Sequence, residues 1–297
     1  MTSGPTAERL PNCKICGGAT RPFGEKSGRV VVRSFRFLCC DVCNFISVAN
    51  PCLDFSMLYN EDYYRGKGAD DTVDYLFELE RPKATIRQYE WRGIRRVVEH
   101  LQGDLSGVRW LDYGCGSGGL VRYLRRQNID AVGFDEGRIV SLARAKGIPI
   151  LTETELEREV GRYSIITMIE VIEHLPDPMP VLRNLRRFLK PGGLMFVTTG
   201  NSAQHRKRFM DWPYVLPDVH VSYFDPHNMQ IALNANGFAC TFPGHIPGWD
   251  DIIRFKVLKA LRWRKVGMLE KLIPWSLVSR FIDSRVRSSG HPVGRAV

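Results

Sequence analysis

From residue 108 to 242, short apolar runs alternate with amphipathic segments, a pattern that restricts the chain to a mostly parallel sheet covered by helices. The spacing predicts strands over 108–112, 129–134, 148–151, 163–169, 194–199 and 238–242, and helices over 119–127, 138–146, 180–189 and 226–236. Between the first strand and the first helix stands Leu111-Asp112-Tyr113-Gly114-Cys115-Gly116-Ser117-Gly118-Gly119. Glycines there let the backbone turn sharply and approach a ligand closely, and the helix that follows opens with unpaired N–H groups. Gly114, Gly116 and Gly119 also satisfy the G-x-G-x-x-G pattern of dinucleotide sites, so the loop alone leaves its ligand open.

Three features together decide the ligand. Asp112 precedes the glycines; Val132-Gly133-Phe134-Asp135 ends the next strand on an acid; and a run from Tyr163 through Glu170, Glu173, His174 and Pro178 leads to Phe188-Leu189-Lys190-Pro191-Gly192-Gly193. With these the chain resembles the class I S-adenosylmethionine-dependent methyltransferases, in their ubiquinone-biosynthesis-like branch, over about 108–242. The resemblance implies a Rossmann-like α/β fold and a cofactor site made by Asp112, Gly114, Cys115, Gly116, Gly118, Asp135, Glu136 and Ile169. Asp135 takes the ribose hydroxyls in that reading, a role that suits a carboxylate because it only accepts.

Methyl transfer from a sulfonium is an in-line displacement, governed by placing the acceptor about 3 Å from the methyl carbon. A hydroxyl acceptor gains from a base that takes its proton. The candidates are His174, His220 and Glu170, the last at the carboxyl edge of the sheet where open α/β folds bind ligands. Trp212, Tyr214 and Tyr223 can wall an acceptor pocket.

Five of the eight cysteines lie between Cys13 and Cys43. Cys13-x₂-Cys16 and Cys40-x₂-Cys43 form the paired spacing of a structural Zn²⁺ site, with Cys40 preferred over Cys39 because its spacing to Cys43 repeats the first pair. Such a closed four-thiolate site leaves no open position for catalysis. Runs at 29–32 and 35–38 read as strands of the same small unit. With Tyr59-Asn60-Glu61-Asp62-Tyr63-Tyr64 downstream, the chain is similar to zinc-ribbon methyltransferases of bacterial sugar, polysaccharide and small-molecule biosynthesis.

The net charge of +10 is unevenly placed: 254–297 holds eleven Lys and Arg against Glu270 and Asp283, so the remainder is nearly neutral. Leu258, Leu261, Val266, Leu269 and Leu272 predict one helical face in that extension, which suits an anionic membrane surface or simple packing on the core. No apolar run approaches the roughly 20 residues of a membrane span, and the first ten residues lack a secretory core, so the expected location is cytoplasmic, peripheral to the inner membrane face if the extension binds there. The expected organisation is a zinc ribbon over 1–52, a helical cap over 53–103, an S-adenosylmethionine-binding core over 104–246 and a basic amphipathic extension over 247–297. The expected activity is methylation of a small acceptor, first a hydroxyl of a sugar, nucleotide sugar or glycolipid precursor. Its rivals are an RNA methyltransferase gripping nucleic acid with ribbon and tail, and a non-catalytic cofactor-binding module.

Overall fold

The computed structural model describes residues 10–285 and 293–297. The leader reading of residues 1–9 and the 286–292 stretch of the basic extension lie outside the described residues. Near the N-terminus β1 (Thr20–Ser27), β2 (Ser34–Cys40) and β3 (Ile46–Val48) form an antiparallel meander. The 29–32 run is not a strand but the hairpin turn between β1 and β2. Asp218 holds it there, its carboxylate accepting from the amides of Arg29, Val30 and Val31 at 2.7–3.2 Å, while Val32 points into solvent at 99% exposure. A carboxylate that satisfies three amides outweighs the strand preference of valine.

Four helices follow: α1 (Phe55–Leu58), α2 (Glu61–Tyr64), α3 (Tyr75–Glu80) and the long α4 (Arg87–Gln102). The core then alternates β4 (Arg109–Tyr113), α5 (Gly119–Arg125), β5 (Asp130–Phe134), α6 (Ile139–Ala145), β6 (Ile150–Leu151), α7 (Glu153–Glu157), β7 (Tyr163–Ile169), α8 (Pro178–Phe188) and β8 (Leu189–Thr198). After β9 (Ser222–Tyr223) come α9 (Pro226–Ala235), β10 (Phe238–Thr241), α10 (Trp249–Ala260), α11 (Trp275–Arg285) and β11 (Val293–Ala296). The main sheet runs β10-β11-β8-β7-β4-β5-β6, parallel from β8 to β6, with β11 inserted antiparallel between β10 and β8.

Both faces of this sheet are buried. Leu111, Ile166, Met168, Met195 and Val197 enter one apolar cluster, and their strand neighbours Trp110, Ile165, Leu194 and Phe196 enter the other, the period-two alternation of a two-sided core. Each such side chain contributes roughly 1.5–3 kcal/mol by burial, which makes the strand ends a rigid platform. Thr167 interrupts the apolar run: its hydroxyl donates to Asp112 at 2.8 Å and accepts from the Trp110 indole at 3.0 Å.

The ribbon is joined edge-on to the core. β9, which follows the core loop, pairs antiparallel with β3 as fourth strand of the small sheet, and Phe35, Phe37, Ile46 and Val48 share one buried cluster with Phe209, Val215, Val221 and Tyr223.

The extension differs from a single amphipathic face. α10 stops at Ala260 because Arg262 turns left-handed at φ +60°, with the Trp263 amide donating to the Leu258 carbonyl at 2.9 Å in a Schellman-type cap. Leu258 is buried, whereas Leu261, Met268 and Leu272 are exposed. Part of the basic charge is paired: Arg254 meets buried Glu270, Lys256 meets Glu170, Lys259 meets Asp70, and Arg262 and Arg264 meet Asp71 and Asp74. Among the described residues no helix is long and apolar enough to cross a membrane.

Candidate active site

The carboxyl ends of β4, β5 and β7 converge on one edge of the sheet. Asp112, next to last in β4, is buried under the Thr167 hydroxyl; burial pushes its carboxyl up to about 7, against the pull of that hydroxyl and of Arg87. Gly114 follows at φ +77°, and a Cβ there would stand 2.3 Å from the Val171 side chain, so both the turn and the close approach to the loop after β7 require glycine. Asp135, directly after β5, accepts from the Gly116 amide at 2.9 Å and the Gly137 amide at 2.6 Å. Burial raises its carboxyl, and the same two amides oppose that rise. It thus ties the glycine loop to the start of α6.

Beside it opens a groove of about 470 Å³, lined by Asp135, Glu136, Arg138 and Ser141 among others. Glu136 stands exposed on its rim. Gly118, left-handed at φ +71°, leads into α5, and Ile169 closes β7 opposite Thr198. The Cys115 thiol is buried and pushed up by that burial, so it lines the loop as an inert wall.

The segment between the ribbon and α4 lies across this edge. Tyr59, Tyr63, Tyr64 and Tyr75 touch ring to ring at 4.8–6.1 Å, with Tyr75 against Gly116 and the Tyr64 hydroxyl against Gly137. Behind them Arg87 is enclosed by Glu90 at 3.1 Å and Glu78 at 3.7 Å. Burial works against its charge but the two carboxylates outweigh it, leaving a fixed cation near Asp112.

His174, His220 and Glu170 come together at the other end of the same edge. Glu170 is held at φ +54° by its amide donating to the Thr198 carbonyl, a left-handed conformation that a non-glycine residue keeps only where its surroundings impose it. Its carboxylate lies 2.7 Å from the Lys256 ammonium and 3.4 Å from the Tyr214 hydroxyl. Tyr214 also donates to Glu173 at 2.5 Å, and Glu173, fully buried and beside Glu170, is pushed up to about 8.

His220 Nδ1 stands 2.7 Å from the Tyr214 carbonyl. A carbonyl only accepts, so Nδ1 carries the proton and Nε2 the lone pair. Burial lowers the His220 pKa and, with His220 as neighbour, drives that of His174 down to about 3, so both rings are neutral at physiological pH. The rings meet edge to face at 4.8 Å, and the Tyr59 hydroxyl reaches His174 Nδ1 at 3.1 Å. Glu173, His174 and His220 each bring one side-chain oxygen or nitrogen within 4.8 Å of the others.

The four cysteines form a separate centre. Sγ of Cys13 is 3.6 Å from that of Cys43 and Sγ of Cys16 is 3.5 Å from that of Cys40, close to the edge length of a tetrahedron of thiolates around zinc. Amides of Ile15, Val42 and Cys43 point at these sulfurs at 3.4 Å. The neighbouring Cys43 thiol draws the Cys13 pKa down to about 5. The Cys39 thiol turns into the apolar ribbon core.

Tyr75, Arg87 and Lys256 line this edge without a local sequence signal that marks them, whereas Tyr59 and Tyr63 stand in the 59–64 motif and Glu173 in the run that leads to His174.

A family model described as a methyltransferase domain matches residues 62–241. Among curated relatives, the chain is 31% identical over 152 residues to a protein named ubiquinone biosynthesis O-methyltransferase of Aliivibrio fischeri (strain MJ11), covering 48% of this chain and 64% of that one. It is 33% identical over 114 residues to the protein of the same name from Bordetella avium, covering 35% and 47%. The chain therefore spans less than two thirds of the length of these relatives. A solved S-adenosylmethionine-dependent methyltransferase from Mesorhizobium loti is 15% identical, with a TM-score of 0.45 over 67% of this chain and 94% of that one.

Proposed function

The chain belongs to the class I S-adenosylmethionine-dependent methyltransferases, and from that premise we propose that it methylates a hydroxyl of a small acceptor with His220 as the base. S-adenosylmethionine supplies an electrophilic methyl group on a sulfonium. In this reading Asp135 takes the ribose hydroxyls, the loop of Gly114, Cys115, Gly116 and Gly118 with Asp112 takes the amino-acid end, and Glu136 and Ile169 border the nucleoside. The observation that carries the reading is the tautomer of His220, fixed by the Tyr214 carbonyl so that Nε2 can take a proton. Glu170 orients the acceptor by accepting from a neighbouring hydroxyl, and His174, neutral and held by Tyr59, packs the base in place.

The first acceptor class is a sugar, nucleotide sugar or glycolipid precursor, whose hydroxyls suit the His220 Nε2 lone pair and the Glu170 carboxylate. A phenolic acceptor is the second reading, favoured by relatives named ubiquinone biosynthesis O-methyltransferase. The cationic side chains of α10 and the loop beyond it that meet acids weigh against an RNA grip. Exposed Met268, Leu272, Leu277 and Phe281 support contact of the extension with a lipid surface if the acceptor is lipid-linked.

Turnover of a panel containing UDP-glucose and catechol with methyl-labelled S-adenosylmethionine tests this. His220→Gln is expected to lower kcat by about 10²–10⁴ with unchanged cofactor affinity. Because burial holds the His220 pKa below 6.5, the native rate falls only as pH drops below that value, and the variant loses this acid limb. A variant with native kcat and native pH profile removes His220 from the role of base.

A further inference from the structure

We propose that Lys256, on α10 and outside the 62–241 methyltransferase segment, is a positioning residue of the acceptor site that clamps Glu170 in its working orientation. This rests on the reading of Glu170 as the carboxylate that orients the acceptor.

The placement of Lys256 begins with two glycines. α10 starts at Gly248, left-handed at φ +104°, where a Cβ would stand 2.4 Å from the Gly93 carbonyl; the helix therefore crosses α4 almost backbone to backbone. Trp249, Ile252, Phe255 and Leu258 then bury one face of α10. Two turns beyond the crossing, Lys256 projects toward the strand edge, its Nζ 2.7 Å from Glu170. Lys259 follows on the same side, 3.7 Å from Asp70 of the segment before α3. The helix is thus anchored by its apolar face and delivers one ammonium to the site and one to the cap.

The groups facing Lys256 come from every element around it. Glu170 and Glu173 lie after β7, Glu90 lies on α4, and Tyr214 reaches both carboxylates from the loop before β9. Burial disfavours the ammonium, yet Glu170 and Glu90 outweigh it, so the cation persists. Glu173 is held protonated by its surroundings, while its neighbour Glu170 has the ammonium. Lys256 therefore meets one of two adjacent carboxyl groups and fixes that one in a single direction. The backbone of Glu170 is left-handed at φ +54°, and Lys256 meets the carboxylate that it presents.

The test uses the full-length protein with UDP-glucose and catechol as acceptor probes. Lys256→Met is expected to lower kcat/KM for the acceptor about 100-fold, as follows when one partner of a half-buried charge pair is removed, with S-adenosylhomocysteine affinity within about twofold of native. Lys256→Arg is expected to recover most of the loss, and Lys256→Met combined with Glu170→Gln to be no worse than the poorer single variant. If Lys256→Met does not fold, the Arg and Gln variants carry the comparison. Native kcat/KM in Lys256→Met, or equal loss of cofactor and acceptor affinity, overturns the proposal. A native enzyme that methylates neither probe overturns the hydroxyl-acceptor reading and this one with it, whereas a working enzyme indifferent to Lys256 overturns this one alone.

Discussion

Asp135→Ala is expected to weaken S-adenosylhomocysteine binding by at least about 100-fold. The carboxylate lies at the carboxyl end of β5, already accepting from the Gly116 and Gly137 amides. Each hydrogen bond to a charged group is worth roughly 1.5–3 kcal/mol, so losing two ribose contacts costs about 3–6 kcal/mol, a factor of some hundreds to tens of thousands. Alanine also releases the glycine loop from the start of α6, which adds to the loss. Asp135→Asn is expected to be nearly as damaging, because its amide nitrogen cannot accept from a backbone N–H. Calorimetric titration measures both, and binding within fivefold of native in the alanine variant would remove Asp135 from the cofactor site.

The second large effect is expected at the cysteines. Cys40→Ser and Cys43→Ser should each abolish stoichiometric zinc in the purified protein, while Cys39→Ser should retain it, since the Cys39 thiol faces the apolar core. Structural zinc contributes on the order of 10–16 kcal/mol in small four-ligand units. The loss should reach catalysis. Lys14, between two of the cysteines, donates to the Pro176 carbonyl at 2.6 Å, two residues from His174. Asn228 donates to the Cys43 carbonyl at 3.2 Å, and β3 pairs with β9 two residues beyond His220. Unfolding the ribbon removes support from both histidines at once. Elemental analysis alongside turnover decides it: zinc retained in Cys40→Ser, or full activity after complete zinc loss, contradicts this coupling.

What could be read along the chain was local. Asp112, the glycines and Asp135 stand at strand ends that apolar periodicity marks, and Cys40 was distinguished from Cys39 by spacing alone. What escaped depended on partners far away in sequence. The 29–32 run has the composition of a strand, and only Asp218, nearly 190 residues later, turns it into a hairpin loop. The 258–272 segment has helical periodicity, but a left-handed Arg262 ends the helix and no neighbouring residue announces it. Residues 293–296 become a strand because the slot between β8 and β10 pairs them on both sides. Lys256 read as one cation in a basic extension, because the close crossing of α10 over α4 that aims it at Glu170 is a property of two glycines 155 residues apart.

The most direct test of the account is to locate the transferred methyl by nuclear magnetic resonance, using ¹³C-methyl S-adenosylmethionine with UDP-glucose and catechol as acceptors and total RNA as competitor. The expected result is label on a hydroxyl oxygen of a small acceptor, formed by the native enzyme and greatly slowed in His220→Gln. Label on nitrogen or carbon, or label appearing in RNA while both hydroxyl compounds stay unmodified, would contradict it.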